Sequence, residues 1–196
     1  MNRLHKICVF CGSSLGNDNK ITTAAIALGA AFVSRDITLV YGAAKIGVMG
    51  TIAQTMLDLH GKVIGIIPQF LKVKEVVHDG LTELYTTENM HDRKLMMQEV
   101  SDGFITLPGG FGTLEELFEV LTWQQLGLHK KPIGLLNIDG YFDPLVAQLQ
   151  KMVDTQLLNK ENQSLLIVDT EIESLLSKMK AFEAPSVPKW LSEERT

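Results

Sequence analysis

Short apolar runs alternate with amphipathic stretches along almost the whole chain. The segments KICVF (6–10), ITLVYG (37–42), KVIGIIP (62–68), GFITLP (103–108), KPIGLLNI (131–138) and SLLIVD (164–169) are short and nearly all apolar, as strands buried on both faces are. LTELYTT (81–87) is a further strand candidate. Between them lie helical patterns over 20–36, 48–61, 88–101, 113–127, 141–154 and 172–182. Pro144 falls in the first turn of its helix, where proline is tolerated. Strands alternating with helices predict one α/β domain: a doubly wound, mostly parallel sheet flanked by helices. No repeat or linker divides it, so residues 1–182 form the domain and 183–196, with two prolines and mixed charge, form an irregular tail or lie on a neighbour.

In such sheets ligands bind beyond the carboxyl ends of the strands. That rule selects Cys11–Gly16, Gly42–Gly50, the segment from Pro68 onward, and Pro108–Thr113; three of the four are glycine-rich. In PGGFGTLEE, glycines 109, 110 and 112 let a ligand approach the backbone, and Thr113 is a natural cap for the helix that follows. Amides at a helix start, reinforced by the macrodipole, hold phosphate well. No lysine follows as in a P-loop, which favours a monophosphate over a triphosphate.

Two readings stand for the glutamates of this segment. Thr113 and Glu116 match a capping box, in which Glu116 only folds back on the Thr113 amide. Alternatively, a carboxylate one turn beyond a phosphate meets a ribose carbon that becomes positive as its base departs, and activates water. The apolar stripe Leu114, Leu117, Phe118, Leu121 sets Glu115, Glu119 and Thr122 together away from the core, with Glu116 at its edge. Arg93 and Lys94, on the preceding helix, are either a solvated face paired with Asp92 or Glu88, or cations aimed at the phosphate or the leaving base.

A net charge of −5, without a basic stripe, argues against nucleic acid as a partner. No segment reads as a signal peptide or a membrane span, and the expectation is a cytoplasmic protein. Cys8 and Cys11 form a C-x-x-C, but Cys8 falls within a strand, so the two thiols should face opposite ways as small buried hydrophobes. They cannot complete a zinc site, and no ligand spacing links the five histidines, so no metal is expected.

With PGGFGTLEE and MHDRK both in view, the sequence resembles the LOG (Lonely Guy) family of cytokinin riboside 5'-monophosphate phosphoribohydrolases, often labelled lysine decarboxylase-like. The resemblance continues through CVFCGSS, SDGFITLPGG and TWQQLGLHKKPIGLLNIDGYFDPL. It implies cleavage of the N-glycosidic bond of a purine nucleoside 5'-monophosphate, such as AMP or its N6-modified forms, to free base and ribose 5-phosphate. A modified Rossmann fold, a homodimer with the site near the interface, and no metal or redox cofactor are also implied. By position, Arg93 and Glu116 would be the catalytic pair. Substrate would be lined by Gly12, Ser13, Glu75, Lys94, Gly109, Gly110, Phe111, Gly112, Thr113, Leu114, Glu115 and Thr122. Where the family usually shows YGGGxxGLMG, this chain has YGAAKIGVMG; Ala43 and Ala44 would reshape the ligand wall.

Competing readings remain. GSSLG (12–16) matches a nucleophile elbow, but it follows the first strand, so no earlier loop can supply an oxyanion donor. A pyridoxal-dependent decarboxylase needs a much larger framework. A nucleotide-binding or carrier protein with the same glycine loops is the alternative from another class; only the Arg93–Glu116 pair separates it from an enzyme.

Overall fold

The central strands are buried on both faces because successive side chains point to opposite sides of a sheet covered by helices on each side. The structure, a computed structural model, describes residues 3–72 and 77–185. In chain order it contains β1 (Lys6–Phe10), α1 (Asn19–Val33), β2 (Thr38–Tyr41), α2 (Gly47–Asp58), β3 (Val63–Pro68), the one-turn α3 (Gln69–Lys72), and β4 (Glu83–Thr87). Then follow α4 (Met90–Val100), β5 (Gly103–Thr106), α5 (Phe111–Gln125), β6 (Ile133–Leu136), a 3-10 turn (Ile138–Gly140), α6 (Asp143–Asp154), the short α7 (Lys160–Gln163), β7 (Leu166–Asp169) and α8 (Ile172–Ala181).

All seven strands pair in parallel, in the order β4-β3-β2-β1-β5-β6-β7. The doubly wound sheet expected from the alternation is therefore present, and it is parallel throughout. The chain runs outward from β1 to β4, then crosses back to β5 on the other side of β1. That reversal opens a crevice beyond the carboxyl ends of β1 and β5.

Period-two alternation divides the core. Ile7, Val9 and Cys11 pack with Leu28 and Phe32 of α1, Ile52 and Met56 of α2, and Leu175 and Met179 of α8. Cys8, Phe10 and Phe104 pack on the other face with Met97 of α4, Leu117 and Val120 of α5, and Leu149 of α6. The two cysteines are free, buried and on opposite faces, as the strand assignment required. Phe10 and Phe104 stack with ring centroids 5.8 Å apart. The Asp102 carboxylate accepts from the His5 and Lys6 amides at 2.8 and 2.9 Å, fixing the entry of β1 beside that of β5.

Helix ends depart from the sequence pattern where local chemistry intervenes. Asp18 caps α1 by accepting from the Lys20 amide, and the helix stops at Val33, before a left-handed turn at Asp36. β4 lies on the sheet edge with residues 83–86 exposed, which explains its weak apolar signal. The tail beyond Pro185 lies outside the described residues. No helix among the described residues is long and apolar enough to cross a membrane.

Phe104 is fully buried in the α4/α5/α6 layer. Phe104→Ala is expected to lower unfolding free energy by about 3–5 kcal/mol, read as a shifted urea midpoint.

Candidate active site

The three glycine loops do not merely lie near one another; they interlock. The Gly12 amide donates to the Pro108 carbonyl at 3.2 Å, and the Met49 amide donates to the Gly12 carbonyl at 3.2 Å. Gly47 adopts φ +67°, and a Cβ there would stand 2.2 Å from the Ser13 carbonyl carbon. A Cβ on Gly109 would meet Thr113 Oγ1 at 2.1 Å and the Gly12 nitrogen at 2.9 Å. Gly110 and Gly112, by contrast, face open space. Some of these glycines thus serve loop packing, and others leave the backbone bare.

Helix α5 begins two residues earlier than its sequence suggests. Gly110 is the N-cap, no side chain caps the helix, and Thr113 is buried in the first turn. The Thr113–Glu116 capping box is therefore not formed. Gly110 can cap without a side chain because its carbonyl accepts the first helical bond, from Leu114. The amides of Phe111, Gly112 and Thr113 meet no acceptor among the described residues. The burial stripe is also rotated from the expected one: Thr113, Leu117, Val120 and Gln124 are buried, with Leu114, Phe118 and Leu121 at its flank.

Freed from capping, Glu116 turns inward to Arg93. Arg93 Nη2 lies 3.7 Å from Glu116 Oε1, with the side chains 10% and 13% exposed. That is an ion pair too long for a hydrogen bond. Among the described residues Arg93 Nε has no partner, and Nη1 has only the Met90 sulfur at 3.8 Å. Buried guanidinium groups are normally well bonded, so this one retains donors for a ligand. Its place is reserved by Gly42 at the end of β2, where a Cβ would stand 2.2 Å from Nη2. Burial raises the Glu116 carboxyl to about 7, more than Arg93 offsets. The group thus changes charge near neutrality, as a general base should.

Lys94 is committed elsewhere, bonding to Glu115 and, at 2.9 Å, to Glu119. Burial alone would lower its pKa, but these two carboxylates raise it above the ordinary value. The pairs Arg93–Glu116 and Lys94–Glu115/Glu119 join α4 to α5 side by side. Ser13 is exposed beside Gly12, and the Phe111 ring is 95% exposed at the rim. Thr122 is exposed, donates to the Phe118 carbonyl at 2.7 Å, and lies about 10 Å further along α5 than Glu115. Glu75 lies outside the described residues. Ala43 and Ala44 are buried; Ala43, at φ +66°, presses its methyl toward Gly65 of β3 and not into the cleft.

Sequence reasoning placed Gly42 in a ligand-end junction but not its role, which is legible only from the guanidinium against it. Tyr141 was missed: its hydroxyl donates to the Gly109 carbonyl at 2.7 Å across 32 residues. No group of three or more His, Cys, Asp or Glu suited to a metal occurs among the described residues. A cavity of about 610 Å³ opens at the other end of the strands, beside Arg3, His5, Arg35 and Lys180, remote from this cluster.

The family model described as "Possible lysine decarboxylase" matches residues 49–179. A probable cytokinin riboside 5'-monophosphate phosphoribohydrolase of Oryza sativa subsp. japonica is 45% identical over 180 residues, covering 92% of this chain and 81% of the relative. The chain belongs to the LOG family. A cytokinin riboside 5'-monophosphate phosphoribohydrolase of Arabidopsis thaliana is 42% identical over 181 residues, covering 92% of this chain and 85% of its own. Among solved structures, the molybdenum cofactor binding protein of Rippkaea orientalis superposes with TM-score 0.69 at 24% identity, over 91% of this chain and 97% of that one. That likeness shows a fold that the LOG-family chain shares with this cofactor-binding protein. The decarboxylase wording finds no support at Lys94, which two carboxylates hold protonated and unsuited to Schiff-base attack.

Because the folded pKa of Glu116 is raised from 4.5 to about 7, the native state holds its proton more tightly than the unfolded chain does. Stability linked to this proton is present below about pH 4.5 and lost as pH rises to about 7. Glu116→Gln should therefore gain more over the parent at pH 8 than at pH 4.5, by roughly 2–3 kcal/mol in denaturant titrations.

Proposed function

We propose that this chain hydrolyses the N-glycosidic bond of purine nucleoside 5'-monophosphates, AMP and N6-modified AMP of the cytokinin-precursor type included. The products would be free base and ribose 5-phosphate. The observation that carries this reading is the buried, loosely joined Arg93–Glu116 pair beside a helix start that no side chain caps. Anionic phosphate suits the bare amides of Phe111, Gly112 and Thr113 and the positive end of α5. With the phosphate there, the ribose reaches toward Glu116.

In the reaction the bond between C1' and the purine nitrogen breaks, and its electron pair leaves with the base. The carboxylate of Glu116 steadies the positive sugar carbon and draws a proton from water as the water oxygen bonds to C1'. That proton ends on the departing base, so water is divided between the products. A guanidinium is a poor general acid, so the role of Arg93 is electrostatic. Its open donors suit either charge arriving on the purine or the phosphate itself.

Leu15, Ile46 and Phe111, one on each glycine loop, are 50%, 54% and 95% exposed at the same end of the sheet. An apolar rim of this kind suits a purine face or a second subunit. The proposal accordingly includes a homodimer acting in the cytoplasm, with the partner chain closing the cleft. Light scattering should give at least twice the 21.7 kDa chain mass; an active monomer would refute this part.

Purified protein given AMP or N6-modified AMP should release base and ribose 5-phosphate, with kcat/KM rising as pH climbs through about 7 and Glu116 ionises. Glu116→Gln and Arg93→Ala should each lower turnover by at least about a hundredfold while far-UV circular dichroism stays unchanged. Gly42→Ala, which displaces the guanidinium, should act likewise. Tight AMP binding without any release of adenine would favour a carrier instead.

A further inference from the structure

The peptide between Gly109 and Gly110 sits at the mouth of the proposed phosphate site with glycine on both sides. Two glycines make such a peptide free to turn over, because neither φ nor ψ meets a side-chain barrier. Its orientation decides what the site presents. In a planar trans peptide the carbonyl and the N–H point opposite ways. One orientation adds the Gly110 N–H to the amides of α5; the other presents a carbonyl oxygen, which repels an anion.

The Gly109 carbonyl is held by the Tyr141 hydroxyl at 2.7 Å. Tyr141 is delivered there by a turn built for rigidity. Asp139 and Gly140 both take left-handed conformations, φ 50° and 72°. The buried Asn137 side chain accepts from the Phe142 amide and donates to Asp143, each at 2.7 Å. Lys20 of α1 pairs with Asp139 at 2.7 Å. The Tyr141 ring meets the core ring of Phe142 edge-on, with centroids 4.9 Å apart.

We infer that Tyr141 is a positioning residue of the phosphate site: by fixing the Gly109 carbonyl, it aims the Gly110 N–H at the anion. This rests on the phosphoribohydrolase reading above only for the identity of the ligand that carries the phosphate. A flip of this peptide drives φ of Gly110 from −94° into the left-handed region. Glycine tolerates that change and alanine resists it. A Cβ at Gly110 meets nothing within 4 Å, so alanine fits there in the free protein.

The test is calorimetric titration of ribose 5-phosphate into the parent, Tyr141→Phe, Gly110→Ala and the double variant, alongside AMP kinetics. Tyr141→Phe should weaken ribose 5-phosphate binding and raise KM for AMP by about tenfold, with kcat kept within about threefold. In the Gly110→Ala background the same substitution should cost no more than about twofold, since alanine already blocks the flip. Equal binding by parent and Tyr141→Phe, or equal losses in both backgrounds, would overturn the inference. A parent that binds ribose 5-phosphate but releases no base sinks the hydrolase reading alone, and the positioning effect is still measured. A parent that binds no ribose 5-phosphate removes the cradle and this inference with it.

Discussion

The candidate site depends on one poorly satisfied interaction: a guanidinium and a carboxylate taken out of water together without a hydrogen bond between them. Arg93 and Glu116 come from neighbouring helices and stand 3.7 Å apart with their side chains almost enclosed. A buried pair recovers its desolvation cost only when its geometry is close and its remaining donors and acceptors are met. Here neither condition holds, and the carboxyl responds by rising to about 7. That is poor economy for a fold and good preparation for a ligand. The neighbouring Lys94, joined to Glu115 and Glu119, supplies the contrast. It ties α4 to α5 and holds the strained pair in place.

The backbone around the pair follows the same division between packing and exposure. Gly42, Gly47 and Gly109 lack side chains because a guanidinium, a neighbouring loop and Thr113 occupy the space. Gly110 and Gly112 lack them where the surface is open. Glycines alike in sequence therefore do different work, and only distances to neighbours separate them. Ala43 shows the limit of reasoning from a motif. It takes a left-handed conformation that costs a non-glycine residue on the order of 1 kcal/mol. Its methyl, however, is spent against Gly65 and does not reshape the cleft.

Much of this was legible in the residues. Alternation of short apolar runs with amphipathic helices implied a parallel doubly wound sheet, since only strands buried on both faces read as continuous hydrophobic segments. Glycine-rich junctions marked the ligand end of that sheet, and PGGFGTLEE with MHDRK marked the family. The capping box, one of the two readings at Thr113, does not form, for a local reason. A serine or threonine three residues before a glutamate satisfies the pattern wherever the helix starts, and Gly110 starts this one with its backbone alone.

By itself, then, the sequence determined the layers of the fold, the end of the sheet at which its glycine-rich loops gather, and which charged residues were worth watching. Periodicity and glycine placement are local properties, carried by neighbouring residues. Tertiary structure decided which watched residues meet: Arg93 with Glu116, Lys94 with Glu115 and Glu119, and Tyr141 with a peptide 32 positions away. It also decided the protonation of Glu116, because desolvation depends on everything packed around a group, and no run of neighbouring residues records that.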